Sequence, residues 1–86
     1  MNILVYTGQE IRLGILYQEN NIPISGLIDL YAEGKNLDNI VVLPNTNLIE
    51  EGSTGEYIYS WNTTGIAEND QVRIYYKKGT QILDIE

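Results

Sequence analysis

The sequence contains no cysteine and no histidine, and these two absences exclude most enzyme chemistry. Without cysteine, the chain can form neither a disulfide framework nor a thiolate metal site. Without either residue, it lacks the commonest nucleophiles, general bases and transition-metal ligands. The composition therefore predicts no catalytic, cofactor-binding or metal-binding residue, and a protein that is not an enzyme.

The remaining polar clusters do not restore a reactive site. Ser53 lies between glycines but lacks the spacing of a nucleophile elbow and has no histidine partner. Glu50 and Glu51 are sequence neighbours, so on a strand their carboxylates point to opposite faces. The oxygen-rich segments 38–39 and 68–70 lack the ligand spacing of a calcium loop. We interpret them as solvated turn residues.

Basic residues are also scarce, since five Lys and Arg face twelve Asp and Glu, for a formal charge of −7. A nucleic-acid groove requires clustered basic side chains, and only Lys77 and Lys78 are adjacent here. The sequence therefore predicts binding neither to nucleic acid nor to an anionic membrane. We interpret the negative charge as a means of keeping the protein soluble, because molecules of like charge repel each other.

The amino terminus lacks the basic segment of a signal peptide, and no apolar run is long enough to span a membrane. The initial Met1 and the strand-like last residues favour a complete small gene product. An excised domain is the alternative interpretation.

The length and composition of the sequence predict that residues 1–86 form a single domain of the all-β class. Thirteen Ile, nine Leu and four Val favour a sheet-rich core. No window keeps the helical period, whereas short alternating segments separated by turn residues recur along the chain. The expected strands are 3–6, 10–18, 25–33, 40–43, 47–50, 55–61, 71–77 and 80–85.

Two strand ends carry specific signals. Gly34, Lys35 and Asn36 are predicted to end the third strand, and Pro44 the fourth. A proline in a strand also indicates an edge position. The connection 64–70 is polar, with room for one helical turn.

One strand carries a row of large aromatic side chains at every second position: Tyr57, Tyr59 and Trp61. They face either a core between two sheets or a ligand such as a sugar ring. If they faced outward, Glu56, Ser60 and Asn62 would be buried, at about 1–3 kcal/mol for each unsatisfied polar group. The core interpretation is therefore favoured, and a sugar-binding platform is the alternative.

Three segments together resemble the immunoglobulin-like domains of bacterial surface proteins and phage structural proteins. They are Thr7-Gly8 before an alternating strand, the loop 20–26 with its central Pro23, and the Gly-x-Tyr-x-Tyr-x-Trp strand 55–61. The resemblance implies a single immunoglobulin-like sandwich of seven or eight short antiparallel strands. It concerns architecture only, and no ligand-binding residue is transferred.

The immunoglobulin order places the third, sixth and seventh strands of that fold side by side, and the segments 25–33, 71–77 and 80–85 are assigned to these places. It directs one set of residues inward: Ile28, Leu30, Val72, Ile74, Leu83 and Ile85. The outward set is Leu27, Tyr31, Tyr75 and Ile82, with Asp29, Arg73, Lys77 and Asp84 around it. An apolar patch with a charged rim is typical of a protein interface. The alternative is an ordinary scatter of apolar residues on a sheet face.

These features predict a non-enzymatic structural or interaction module that binds protein in a larger assembly. The most specific expectation is a phage virion accessory or decoration protein that docks on a capsid or tail protein, with an oligomer as a further expectation. The alternatives are a carbohydrate-binding or adhesion module within a longer cell-surface chain, and a spacer domain without a ligand.

Overall fold

Ten β-strands and no helix make up the regular structure of residues 3–5, 8–66 and 70–85, which the computed structural model describes. The predicted all-β class is confirmed. The strands are β1 Ile3–Val5, β2 Glu10–Leu16, β3 Gln18–Glu19, β4 Ile22–Pro23, β5 Leu30–Asn36, β6 Val41–Asn47, β7 Ile49–Glu50, β8 Glu56–Asn62, β9 Asp70–Lys78 and β10 Gln81–Ile85.

The strands pair antiparallel in a large sheet, a small sheet and a short hairpin. In the five-stranded sheet, β9 pairs with β5 along one edge and with β1 and β10 along the other, while β6 lies beyond β5. The three-stranded sheet has the order β2-β8-β7, and β3 pairs with β4. The expectation that β5, β9 and β10 lie side by side is confirmed. The immunoglobulin-like arrangement as a whole stays a prediction.

Side chains from the large and the small sheet form one core. Its buried members are Leu13, Leu30, Ala32, Leu43, Leu48, Tyr57, Trp61, Val72, Ile74 and Tyr76. The aromatic row faces inward as predicted, because Tyr57 is 0% and Trp61 4% exposed and Tyr59 packs against the same cluster. The two sheets thus lie in a sandwich-like arrangement around this core.

The third predicted strand is displaced along the chain. The structure starts β5 at Leu30 and continues it to Asn36, through the glycine that was expected to end it. Gly34 is buried, and a Cβ there would lie 3.0 Å from the Cβ of Leu43. The glycine therefore provides room on the inner face. The prediction that Ile28 faces inward is wrong, because it precedes the strand and is 84% exposed.

The strand predicted to stop at Pro44 continues as β6 to Asn47. Its edge position is confirmed, since β6 is the last strand of the large sheet. Proline is tolerated there because an edge strand leaves one row of N–H groups without a ladder partner. Residues 64–66 form a turn and a bend, while 67–69, part of the predicted helical turn, lie outside the described residues.

A buried hydroxyl fixes the loop between β4 and β5. The Tyr57 hydroxyl donates to the Ile24 carbonyl at 2.7 Å and accepts from the Leu27 N–H at 3.1 Å. The phenol ring belongs to the core, so these two bonds attach the loop directly to β8.

The Glu50 carboxylate attaches the same loop to β7. One of its oxygens accepts from the Ser25 hydroxyl at 3.0 Å and the Gly26 N–H at 2.9 Å, and the other accepts from the Gly55 N–H at 3.0 Å. The pKa of Glu50 is lowered from its ordinary value, first by the bond from Gly26 and then by that from Gly55. The carboxylate is therefore a structural group of the loop.

We expect Tyr57→Phe to lower the free energy of unfolding by about 1–3 kcal/mol, because it leaves a carbonyl and an N–H without their partner. Urea unfolding measures this loss. Tyr59→Phe is the matched control, since the Tyr59 hydroxyl has no hydrogen bond within the described part of the chain. Equal losses in the two variants would contradict the role of the Tyr57 hydroxyl.

We expect Glu50→Gln to lower the melting temperature at pH 7. A lowered folded-state pKa means that the carboxylate stabilises the fold above its ordinary pKa of about 4.3, and that this contribution disappears as the pH falls through the lowered value. The difference between wild type and variant therefore shrinks in acid, as thermal unfolding at pH 7 and below pH 4 tests. Glu51→Gln should have little effect, because the Glu51 carboxylate contacts an exposed arginine, and exposed ion pairs contribute little to stability. A loss for Glu50→Gln that does not change with pH would contradict the assignment.

Candidate functional site

The outer surface of the large sheet carries most of the predicted interface residues. In β5 and β9, every second residue is buried, so the residues between them face away from the core. We call this surface the basic face, and it comprises Tyr31, Glu33, Lys35, Arg73, Tyr75, Lys77 and Ile82.

Strand register brings these side chains together. Lys77 of β9 lies directly between Tyr31 of β5 and Ile82 of β10, and Tyr75 lies opposite Glu33. The Lys77 ammonium donates to the Glu33 carboxylate at 3.0 Å, and the Lys35 ammonium lies 4.0 Å from the same carboxylate. Tyr31 and Tyr75 are thus held among charged side chains.

Lys35 also contacts the aromatic system of the face. Its ammonium lies 5.4 Å from the centre of the Tyr75 ring, within the range of a cation–π interaction. This contact orients Lys35 along the sheet and leaves the ring half-exposed beside it.

The basic face differs in charge from the whole protein. It holds three of the chain's five basic residues and, among the described side chains, one carboxylate, for a formal charge of +2. Arg73 is exposed and forms no ion pair with any described residue. A protein of net charge −7 therefore presents one positively charged surface.

Three of the four predicted interface residues lie together on this face, whereas Leu27 does not. Leu27 lies in the loop before β5, is half-buried and packs against the core, so its predicted outward position is wrong. Asp29 binds Lys78 at 3.2 Å at the end of β9. Asp84 pairs with Tyr76, because the register shifts after Ile82.

Sequence reasoning missed Glu33 and Lys35 as parts of the site. Lys35 was lost because the predicted strand ended before Gly34, whereas Glu33 was the last residue of that strand and was not assigned to the interface. The alternation Tyr31, Glu33, Lys35 would have indicated them if Gly34 had been interpreted as an inward position.

The outer surface of the small sheet is the opposite of the basic face in sign. Its charged side chains are Glu10, Arg12, Glu51 and Glu56, for a formal charge of −2. Around them lie the apolar side chains of Leu16, Ile49 and Ile58, of which Leu16 is 50% and Ile49 69% exposed. We call these seven residues the acidic face.

One arginine organises the acidic face. Its guanidinium donates to the Glu56 carboxylate at 2.9 Å and to the Glu51 carboxylate, and the pKa of Arg12 is raised first by the bond to Glu56 and then by the charge of Glu51. Arg12, Gly14 and Leu16 line a groove of about 260 Å³. The groove is shallow, and its positive charge is already compensated.

The two faces offer apolar contacts and charged groups to a partner. The described residues give little support for metal binding, membrane insertion or sugar binding. Residues 3–5, 8–66 and 70–85 contain no cluster of three or more acidic side chains that could hold a metal ion. The same residues contain no helix able to span a membrane. The aromatic row is directed into the core, so it offers no flat surface for a sugar ring.

We expect Trp61 to fluoresce with a blue-shifted maximum and to be insensitive to added sugars, because its side chain is only 4% exposed. Titration with mono- and oligosaccharides, monitored by emission, tests this. Unfolding in urea should shift the maximum to the red. A sugar-dependent change in the folded protein would contradict the inward placement.

No known family, no curated protein and no solved structure matches this chain. The candidate site therefore rests on its own geometry, in which one basic, tyrosine-containing face and one acidic face lie on the two sheets of an acidic protein.

Proposed function

We propose that this chain is a non-enzymatic interaction module that docks on a protein of a larger assembly through its basic face. The most specific form of the proposal is a virion accessory or decoration protein of a phage, located on the particle. The observation that carries the docking proposal is the charge of the basic face, which is positive on an otherwise acidic molecule.

The composition of the face supports a protein partner. Tyrosine and arginine are enriched among the residues that dominate interface energies, and Tyr31, Tyr75 and Arg73 are of these types. The lysines around them supply a polar rim, while Ile82 adds an exposed aliphatic side chain.

The charge supports a particular kind of partner surface. A positive patch on a negative protein is attracted to an acidic patch and orients the approaching molecule with that face forward. We therefore expect the docking surface of the partner to be rich in Asp and Glu. The rest of the protein's surface is negatively charged, so an acidic partner repels it and does not bind there.

The rigidity of the sheet supports docking without rearrangement. β9 is paired on both sides, and its inner residues Val72, Ile74 and Tyr76 are at most 1% exposed. The outward side chains of β9 are consequently held on a fixed backbone, which lowers the entropy cost of binding.

Replacing both tyrosines should remove docking. We expect Tyr31→Ala/Tyr75→Ala to reduce the amount of protein that sediments with particles by more than tenfold, because truncating two interface anchors costs about 2 kcal/mol or more. The measurement is gradient sedimentation of particles from the organism that encodes the chain, with tagged wild-type or variant protein.

The control is Ile28→Ala, which removes an exposed side chain in the loop before β5. It should sediment as wild type does. Thermal unfolding checks that the double variant is folded. A folded double variant that still sediments with the particles would refute the proposed docking surface.

A further inference from the structure

We infer that the basic face of one copy binds the acidic face of a second copy, so that the chain stacks upon itself within the assembly. The inference rests on the proposed function, because it takes the same docking surface and names its partner. The juxtaposition that carries it is the presence of two complementary faces on one molecule.

The charges of the two faces are equal in magnitude and opposite in sign. The basic face has three cations and one carboxylate, whereas the acidic face has three carboxylates and one cation, which gives +2 and −2. Opposite potentials across an interface orient the partners and exclude wrong pairings. Two basic faces, or two acidic faces, would repel each other.

The apolar parts of the faces also correspond. The basic face presents Tyr31, Tyr75 and Ile82, and the acidic face presents Leu16, Ile49 and Ile58. Ile49 and Ile82 are 69% and 51% exposed. An apolar centre among charges is the anatomy of a specific interface.

The acidic face has unused capacity for a cation. Two carboxylates share the single guanidinium of Arg12, and Glu10 is exposed near the start of β2. Arg73 on the basic face, in turn, has no carboxylate among the described residues. Stacking therefore brings an arginine that has no ion pair among the described residues to a surface with excess carboxylate.

The size of the molecule sets how much of each face must take part. The Cα atoms extend over 38 × 23 × 19 Å. The two longest extents, 38 and 23 Å, bound a rectangle of about 870 Å², comparable with the ~800 Å² that each partner contributes to a standard interface. A stable contact needs most of a face, and both faces carry suitable side chains on several strands.

The geometry allows the contact to be repeated from copy to copy, unlike the contact of a symmetric dimer. The faces belong to the outer surfaces of two sheets that share one core, so they point away from each other. A copy that uses its basic face keeps its acidic face free for the next copy. Such head-to-tail contacts generate stacks instead of a symmetric dimer.

Net charge does not prevent this contact. Copies with a charge of −7 repel each other at long range, but the Debye length at physiological salt is about 8 Å, less than the width of the molecule. At contact, the local charges of the two faces decide. Raising the salt to 1 M shortens the screening length to about 3 Å and weakens the contact itself.

Two matched variants test the inference. The first, Arg73→Glu/Ile82→Glu, reverses the basic face, and the second, Glu10→Lys/Ile49→Lys, reverses the acidic face. Each replaces one exposed charge and one exposed isoleucine, and neither removes an ion pair among the described residues. Ile28→Lys adds a charge in the loop before β5 and serves as control.

Sedimentation velocity over a concentration series is the measurement. We expect wild type and Ile28→Lys to form species of increasing mass, with association at least tenfold weaker in 1 M salt. Each face variant alone should be monomeric. An equimolar mixture of the two should associate again, because the unaltered acidic face of the first variant meets the unaltered basic face of the second, and the two reversed faces are also opposite in charge.

A monomeric wild type, or a mixture that stays monomeric, overturns the inference. So does self-association of the acidic-face variant alone, since that would mean that basic faces bind each other. If the chain does not stack but Tyr31→Ala/Tyr75→Ala still loses particle binding, the partner is a different protein and the proposed function stands. Failure of both experiments refutes both proposals.

Discussion

The alternation of β9 between the core and the solvent is the constraint on which the rest of the structure depends. Val72, Ile74 and Tyr76 are buried against both sheets, so Arg73, Tyr75 and Lys77 have to face outward. A shift by one residue would bury two lysine or arginine side chains and expose the centre of the core. The same apolar burial that stabilises the fold therefore assembles the basic face. β5 repeats this alternation alongside and adds its own outward residues.

Loops are held by a different set of interactions, in which polar groups inside or beside the core replace strand pairing. The Tyr57 hydroxyl and the Glu50 carboxylate hold the segment that leads into β5, and both lie on strands of the small sheet. They thus connect the small sheet to the strand that carries three of the seven residues of the basic face. Gly55 also belongs to this junction. Its φ is 78°, and a Cβ added there would lie 2.7 Å from the Cβ of Pro23, so only glycine fits at this position. A sugar-binding platform and a sandwich core both require aromatic residues at every second position of β8. The burial of Trp61 shows that the row belongs to the core.

Prediction from the sequence succeeded where alternation was long and failed where single residues carried the signal. The inward aromatic row and the β9–β10 hairpin were predicted correctly, because period-two burial and turn residues agree there. The third strand was misplaced because Gly34 has the composition of a turn and the function of a close packing contact. Because the strand was misplaced, Leu27 was assigned to the outer surface, whereas it packs against the core. The acidic face was missed entirely, since Arg12 lies 39 and 44 residues from its two carboxylate partners.

By itself, the sequence determined the all-β class, the inventory that lacks cysteine and histidine, and the inward direction of the aromatic strand. These follow from composition and from the two-residue period, which are local properties of the chain. Only the tertiary structure decided which strands are neighbours, and hence that Tyr31, Lys77 and Ile82 form one row and that Arg12 meets Glu51 and Glu56. The physical reason is that a face is made by register between distant segments. Register depends on how the two sheets fill their common core, and no single segment contains that information.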